Sequence, residues 1–265
     1  FLCLKKKKKL HDLETLVVFS NLHDKISIKE KNIKKHKIKF VGKFSKNISK
    51  KNTISKLFKI MDTMNLLNKK KYYVKVTKNI PTESGLGGGS MNAATILKYL
   101  IKKEKLLLSK KKIIEITKNV GSDVILGMFK GPLILKKDKI FFLRRKIKLF
   151  LVIVKPIQGC STKKIYKKIN VKSKSILKKI RKNYTKIEFL KNLNNDLESA
   201  AFKIYPNLTN IKKKMTETKN ILFVRMSGSG SSLVGYFDSK KTSINAAKVL
   251  QNKFKNYWCI SSKTI

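Results

Sequence analysis

Four glycines in five residues, Gly85-Leu86-Gly87-Gly88-Gly89, constrain this chain more than any other feature. Before them, Tyr72, Val74 and Val76 alternate with Tyr73, Lys75 and Thr77, the period-two pattern of a half-buried strand. Pro81 marks a turn, and after the glycines Ala93, Leu97, Leu100 and Ile101 recur at helical spacing. The order is strand, glycine loop, helix. Glycines lack side chains, so backbone N–H groups can close around phosphate oxygens while the following helix aims its positive end at the same anion. No Gly-Lys-Ser/Thr follows, so the run is not a P-loop. Its spacing is not that of a dinucleotide fingerprint, and no acidic residue ends a second strand at the required distance. A plain flexible turn is the competing reading, and the placement between strand and alanine-rich helix start argues against it.

With 265 residues, 42% of them hydrophobic, the chain can bury one large core or two modest ones. Its longest apolar run, Leu149–Val154, is far too short to cross a bilayer, and no segment has the make-up of a signal peptide. Cys3, Cys160 and Cys259 are widely separated, which supports neither a disulfide framework nor a metal site and favours a reducing compartment. The net charge of +49 suggests nucleic acid, but only Arg144, Arg145, Arg181 and Arg225 are arginines. Nucleic-acid surfaces draw on arginine's planar fork, whereas lysine here is spread along the whole chain with asparagine and isoleucine. The charge therefore reads as solvated lysine faces and compositional bias. The sequence opens on Phe1 and reads at once as a strand, Phe1–Leu4, so it looks like a piece whose first strand starts upstream.

Short strands and helices are interspersed without a repeat. Lys5–Lys9 reads as a loop between strands, and Ile113, Thr117 and Val120 as a helix ending near Gly121. Charged, turn-rich sequence over Lys136–Lys148 precedes a strand at Leu149–Val154. Helical patterns follow around Leu177–Tyr184 and Asp196–Ile204. The chain then shows a strand at Ile221–Val224, a small-residue loop Ser227–Ser232, a strand at Leu233–Phe237 and a closing helix with Ala246, Leu250 and Phe254. This pattern predicts an α+β protein in two lobes, residues 1–145 and 146–265.

The stretch Pro81-Thr-Glu-Ser-Gly-Leu-Gly-Gly-Gly-Ser-Met-Asn-Ala-Ala94 resembles the phosphate-binding motif of the GHMP kinase superfamily. Its triple glycine, followed by Asn92 and two alanines, is similar to the branch that phosphorylates a cytidine-diphosphate-linked sugar alcohol. Other segments agree in order. His11–Phe19 resembles the family's cytosine-recognition stretch, and Asn52-Thr-Ile a segment that opens a helix. Gly121-Ser-Asp-Val124 is similar to the family's Gly-Ala-Asp-Val, and Asn195-Asp-Leu-Glu198 to a motif on a helix of the second domain. Met226–Ser231 resembles the third GHMP motif. Some positions depart from the pattern. Lys9-Leu10 stands where the family has Gly-Tyr, Met91 replaces a small residue, and the family's first-strand lysine and asparagine would precede Phe1.

The resemblance implies a two-lobe GHMP-kinase fold with the active site in the cleft between the lobes. It also implies ATP and Mg²⁺ as cofactors. Pro81, Glu83, Ser84, Gly85, Leu86, Gly87, Gly88, Gly89, Ser90, Met91, Asn92 and Ala93 would bind the nucleotide. Asp123 would be the catalytic base; read as an isolated residue it is an ordinary solvent-facing or capping aspartate. His11 and Asn52 would bind the substrate, and Ser227, Gly228, Ser229 and Gly230 would form a supporting loop. The implied partner is a small cytidine-diphosphate sugar alcohol, with no specific nucleic acid and no membrane. The protein would act as a monomer or homodimer in the cytoplasm or a plastid-type organelle. A GHMP kinase of other specificity, a degenerate kinase and a lysine-rich RNA-binding protein are the alternatives.

Overall fold

The computed structural model describes residues 2–6, 11–136, 139–169 and 185–265. In chain order the elements are β1 (Leu2–Lys6), β2 (His11–Val17), β3 (Lys25–Lys31), β4 (Lys37–Val41), α1 (Thr53–Thr63), β5 (Lys71–Thr77), α2 (Gly88–Lys103) and α3 (Lys110–Val120). A 3₁₀ turn (Val124–Met128), β6 (Leu133–Lys136), β7 (Lys139–Phe142), β8 (Phe150–Lys155), α4 (Thr162–Lys168), α5 (Ile187–Lys191) and α6 (Leu197–Ile204) follow. The chain ends with α7 (Asn207–Thr216), β9 (Phe223–Met226), β10 (Leu233–Phe237), α8 (Lys240–Lys253) and β11 (Trp258–Lys263). Strands and helices are mixed throughout, an α+β fold.

Two compact units interleave along the chain. One comprises Leu22–Thr82 and Gly87–Lys130; the other comprises Phe1–Asn21, Glu83–Leu86 and Gly131–Ile265. The first is built on a three-stranded sheet, β3-β5-β4, with β3 antiparallel and β4 parallel to β5. Alternation in β5 sends Tyr72, Val74 and Val76 inward, where all three are fully buried. Against them pack Leu57, Phe58 and Met61 of α1 and Ala93, Leu97 and Leu100 of α2. Truncating one such leucine to alanine costs about 2–5 kcal/mol. The strands β3 and β4 were not anticipated. Their inward residues Ile26, Ile28, Ile38 and Phe40 alternate with lysines, which are poor strand formers, and this weakens the signal. Ser109 caps α3, and Gly121 closes that helix in an extended conformation (φ 173°), not the left-handed one expected of a terminal glycine.

The second unit holds two four-stranded sheets, ordered β1-β2-β6-β7 and β11-β8-β10-β9. The latter covers a core of Val152, Val154, Leu197, Leu208, Ile211, Met215, Leu233, Phe237 and Leu250. Within the stretch expected to be turn-rich, 136–148, residues Lys139–Phe142 form β7, because Ile140 and Phe141 outweigh the flanking charges. The strand expected at 149–154 runs one residue later. The helix α7 was missed, although Leu208, Ile211 and Met215 carry its buried face between lysines. The helical pattern expected at 177–184, the residues Lys7–Leu10 and Arg181 lie outside the described residues. Among the described residues no helix is long and apolar enough to cross a membrane.

Candidate active site

The helix α2 begins without a cap of its own. Its N-cap is Gly87 in the left-handed conformation (φ 69°), which offers no side-chain cap, and its first turn holds no acidic residue. The first helical bond runs from Met91 N–H to Gly87 O, 2.9 Å, which leaves the N–H groups of Gly88, Gly89 and Ser90 facing outward. A Cβ on Gly87 would meet nothing within 4 Å. Open space, uncapped donors and a positive helix end are the features from which an anion site can be built. Thr53 Oγ1 donates to Gly89 O, 2.9 Å, tying the start of α1 to this loop. Asn52, expected at the substrate, is the N-cap of α1. Its Oδ1 accepts from Ile54 N and Ser55 N, and its Nδ2 donates to Ser49 O.

Beneath this helix end lies a cluster that the sequence reading missed. Asp24, whose side chain is fully buried, accepts from Asn79 N (2.8 Å) and Ile80 N (3.0 Å) through Oδ1. Its Oδ2 accepts from Asn92 Nδ2 (2.7 Å) and from the Lys78 ammonium. Pro81, also buried, continues the chain from this point. Strand parity could have revealed the pair. Lys78 follows Tyr72, Val74 and Val76 at the inward positions of β5, and Asp24 precedes Ile26 and Ile28 in β3. Asp24 and Lys78 continue the β3–β5 register by one step beyond the Lys25–Thr77 pair.

Asp123 is exposed, just after α3, and leads directly into the 3₁₀ turn. Ser122 Oγ donates to its carboxylate, 3.1 Å. The turn packs closely on α2: a Cβ on Gly127 would fall 2.6 Å from Ala94 Cβ and 3.1 Å from Met91 Sδ. Glycine at 127 therefore gives the Met91 thioether its room. The sequence departure at 91 is a packing contact between α2 and the turn that follows Asp123. Ala93, two residues beyond Met91, is fully buried.

In the other unit, the segment Glu83–Leu86 lies on the small-residue loop Ser227–Ser232. Ser227 Oγ donates to Gly85 O (2.9 Å), Ser231 N–H to Glu83 O (3.3 Å) and Ser232 N–H to Ser84 O (3.0 Å). Gly85 (φ +72°) sits so close that a Cβ would fall 2.2 Å from Ser227 O. Gly228 also lies close to the Gly85 carbonyl, while Ser229 Oγ shares a hydrogen bond with Thr162 Oγ1 (2.8 Å). Gly230 backs Gly85 as well. The loop is itself held by Asn195, whose Nδ2 donates to Met226 O (2.8 Å) and Gly228 O (2.7 Å), and by Glu198, which accepts from Met226 N (2.7 Å). That gives the Asn-Asp-Leu-Glu segment a physical task. Nearby, Lys155 is buried, and burial lowers its pKa against the opposing charge of Glu83. The side chain of His11 lies outside the described residues; its backbone is in β2. Among the described residues no group of three or more His, Cys, Asp or Glu could hold a metal ion.

The GHMP kinases N terminal domain matches residues 52–133, and the GHMP kinases C terminal domain matches residues 177–256. The 4-diphosphocytidyl-2-C-methyl-D-erythritol kinase of Pelagibacter ubique is 49% identical over 98% of this chain and 93% of its own length. The enzyme of the same name from Petrotoga mobilis is 35% identical over 86% of this chain and 91% of its own. The fold is that of a solved 4-(cytidine 5'-diphospho)-2C-methyl-D-erythritol kinase (TM-score 0.80, 19% identity, 100% of this chain and 95% of that one). It is also that of a homoserine kinase from Cytophaga hutchinsonii (TM-score 0.71, 15% identity, 94% and 88%).

Proposed function

The chain belongs to the 4-diphosphocytidyl-2-C-methyl-D-erythritol kinases of the GHMP family, and from that premise we propose how its residues carry the reaction. The activity is transfer of the γ-phosphoryl group of ATP to the C2 hydroxyl of 4-diphosphocytidyl-2-C-methyl-D-erythritol, in the non-mevalonate route to isoprenoid precursors. The identity to the Pelagibacter ubique enzyme over nearly the whole chain is the observation that carries this reading.

The N–H groups of Gly88, Gly89 and Ser90 and the positive end of α2 hold the phosphates in the open space beside Gly87. Ser227–Gly230 stiffen the preceding segment Glu83–Leu86. Asp123 takes the proton of the C2 hydroxyl as that oxygen bonds to the γ-phosphorus and the bond to the ADP oxygen breaks in line. There is little covalent chemistry beyond that proton transfer, so positioning and charge stabilisation supply most of the acceleration. Mg²⁺ bound with the nucleotide would supply neutralising charge at its phosphates. His11 serves the cytosine; Asn52 acts through its cap, which holds α1 and Thr53 against Gly89. Residues 1–145 thus supply the nucleotide loop and the base, and residues 146–265 the supporting loop. The protein works as a monomer or homodimer in the cytoplasm, without nucleic acid or membrane partners.

Asp123→Ala tests the assignment of the base. Turnover should fall by at least about a hundredfold while ATP still binds, the lower end of what a positioned base contributes. Unchanged turnover removes Asp123 from the mechanism.

A further inference from the structure

Asp24, Lys78 and Asn92 belong to three different elements or their flanks, yet their polar atoms meet on one carboxylate oxygen. The carboxylate is fully buried and accepts four hydrogen bonds, two of them from the backbone of Asn79 and Ile80 where the chain leaves β5. Asn92 lies in the second turn of α2, directly after the N–H groups assigned to the phosphates. The Lys78 ammonium lies under the same end: it is 3.7 Å from the place a Cβ on Gly88 would take. Lys78 is only 5% exposed, and its buried charge is paired with Asp24.

We propose that Asp24 is a positioning residue for nucleotide binding: it fixes the phosphate-holding turn of α2 to the end of β5 through Asn92 and Lys78. The inference rests on the reading of Gly87–Ser90 as the phosphate site. Its physical content is geometric. The donors of Gly88, Gly89 and Ser90 have no cap of their own, so their direction is set by whatever holds the next turn. On this face that group is Asp24. A carboxylate is required because both facing side chains are donors. An asparagine at 24 could still accept from Asn79 and Ile80, but it would turn its own NH₂ toward an ammonium and an amide NH₂.

That conflict gives a reciprocal test. Asp24→Asn should raise the dissociation constant and KM for ATP at least about tenfold, since small misplacements of binding groups cost one to two orders of magnitude. The KM for the cytidyl substrate should stay within about twofold. The double exchange Asp24→Asn with Asn92→Asp restores one carboxylate between two donors, now carried by α2. It should return the ATP dissociation constant to within about threefold of the parent. A merely structural role has another signature: a lower melting temperature and a smaller active fraction, with the dissociation constant and KM for ATP unchanged. That result overturns the proposal. Should Asp24→Asn not fold, the double exchange decides, because a folded double variant that binds ATP weakly also overturns it. A parent protein that does not bind ATP at all, measured by calorimetry with ATP alone, removes the phosphate-site reading and this inference with it. Failure of the inference by itself leaves parent ATP binding intact.

Discussion

Gly85 and Gly87 have nearly the same backbone conformation, φ +72° and +69°, in very different surroundings. Replacing either with alanine incurs the left-handed strain of an L-residue, about 1–2 kcal/mol. At Gly87 nothing more is added, because the new methyl meets no protein atom within 4 Å. At Gly85 the methyl would fall 2.2 Å from Ser227 O and 2.7 Å from Gly230 O, where ordinary contact begins at 3.4 Å. The two segments must part by more than 1 Å. Separation breaks the Ser227 Oγ–Gly85 O and Ser232 N–Ser84 O hydrogen bonds, about 1 kcal/mol each. Gly85→Ala should therefore cost about 3–4 kcal/mol and Gly87→Ala about 1–2. At roughly 2–4 °C per kcal/mol, thermal melting followed by circular dichroism should separate the two variants by about 4–8 °C. The space at Gly87 has its own consequence. Its methyl would enter the volume assigned to phosphate, so Gly87→Ala should raise the KM for ATP at least about tenfold while lowering the melting temperature by only about 2–8 °C. Equal melting temperatures, or an unchanged KM in Gly87→Ala, would refute the reasoning.

Other expectations follow from the same structure. His36 accepts from Tyr72 N–H through Nδ1 (3.0 Å) and bonds Asp62 through Nε2 (3.3 Å); burial pushes its pKa below 6.5, more than Asp62 pulls it up. The unfolded chain then binds the proton more readily, so stability is fully present above about pH 6.5 and declines as pH falls toward the folded value. Urea unfolding between pH 7.5 and 5 should show that loss, and His36→Gln should flatten it. Cys160 and Cys259 are buried, and burial pushes their thiols up to about 11 and about 12. Peptide mapping after iodoacetamide at pH 7.5 should find both unmodified in native protein and modified in denaturant. Asn195→Ala leaves the Met226 and Gly228 carbonyls without their donor, a cost of about 1–3 kcal/mol visible as a lower melting temperature.

The sequence carried the local features well. Strand β5, the glycine loop and α2 were legible because each has a pattern within a few residues. What stayed hidden depends on distant partners. Asp24 and Lys78 are 54 positions apart, and in a chain so rich in lysine one more lysine draws no notice until strand parity points it inward. Asn52 was placed correctly at a helix start, but only the fold shows that its amide is consumed by capping. Met91 stood out only as a departure from a small residue, and Gly127, 36 residues on, supplies the hollow that takes its side chain.

Phosphoryl transfer from ATP to 4-diphosphocytidyl-2-C-methyl-D-erythritol tests the central claim most directly, with mevalonate, homoserine and galactose offered in parallel. The account predicts turnover confined to the cytidyl substrate and lost in Asp123→Ala. Transfer to one of the other three alcohols, or none to the cytidyl substrate by protein that binds ATP, would contradict it.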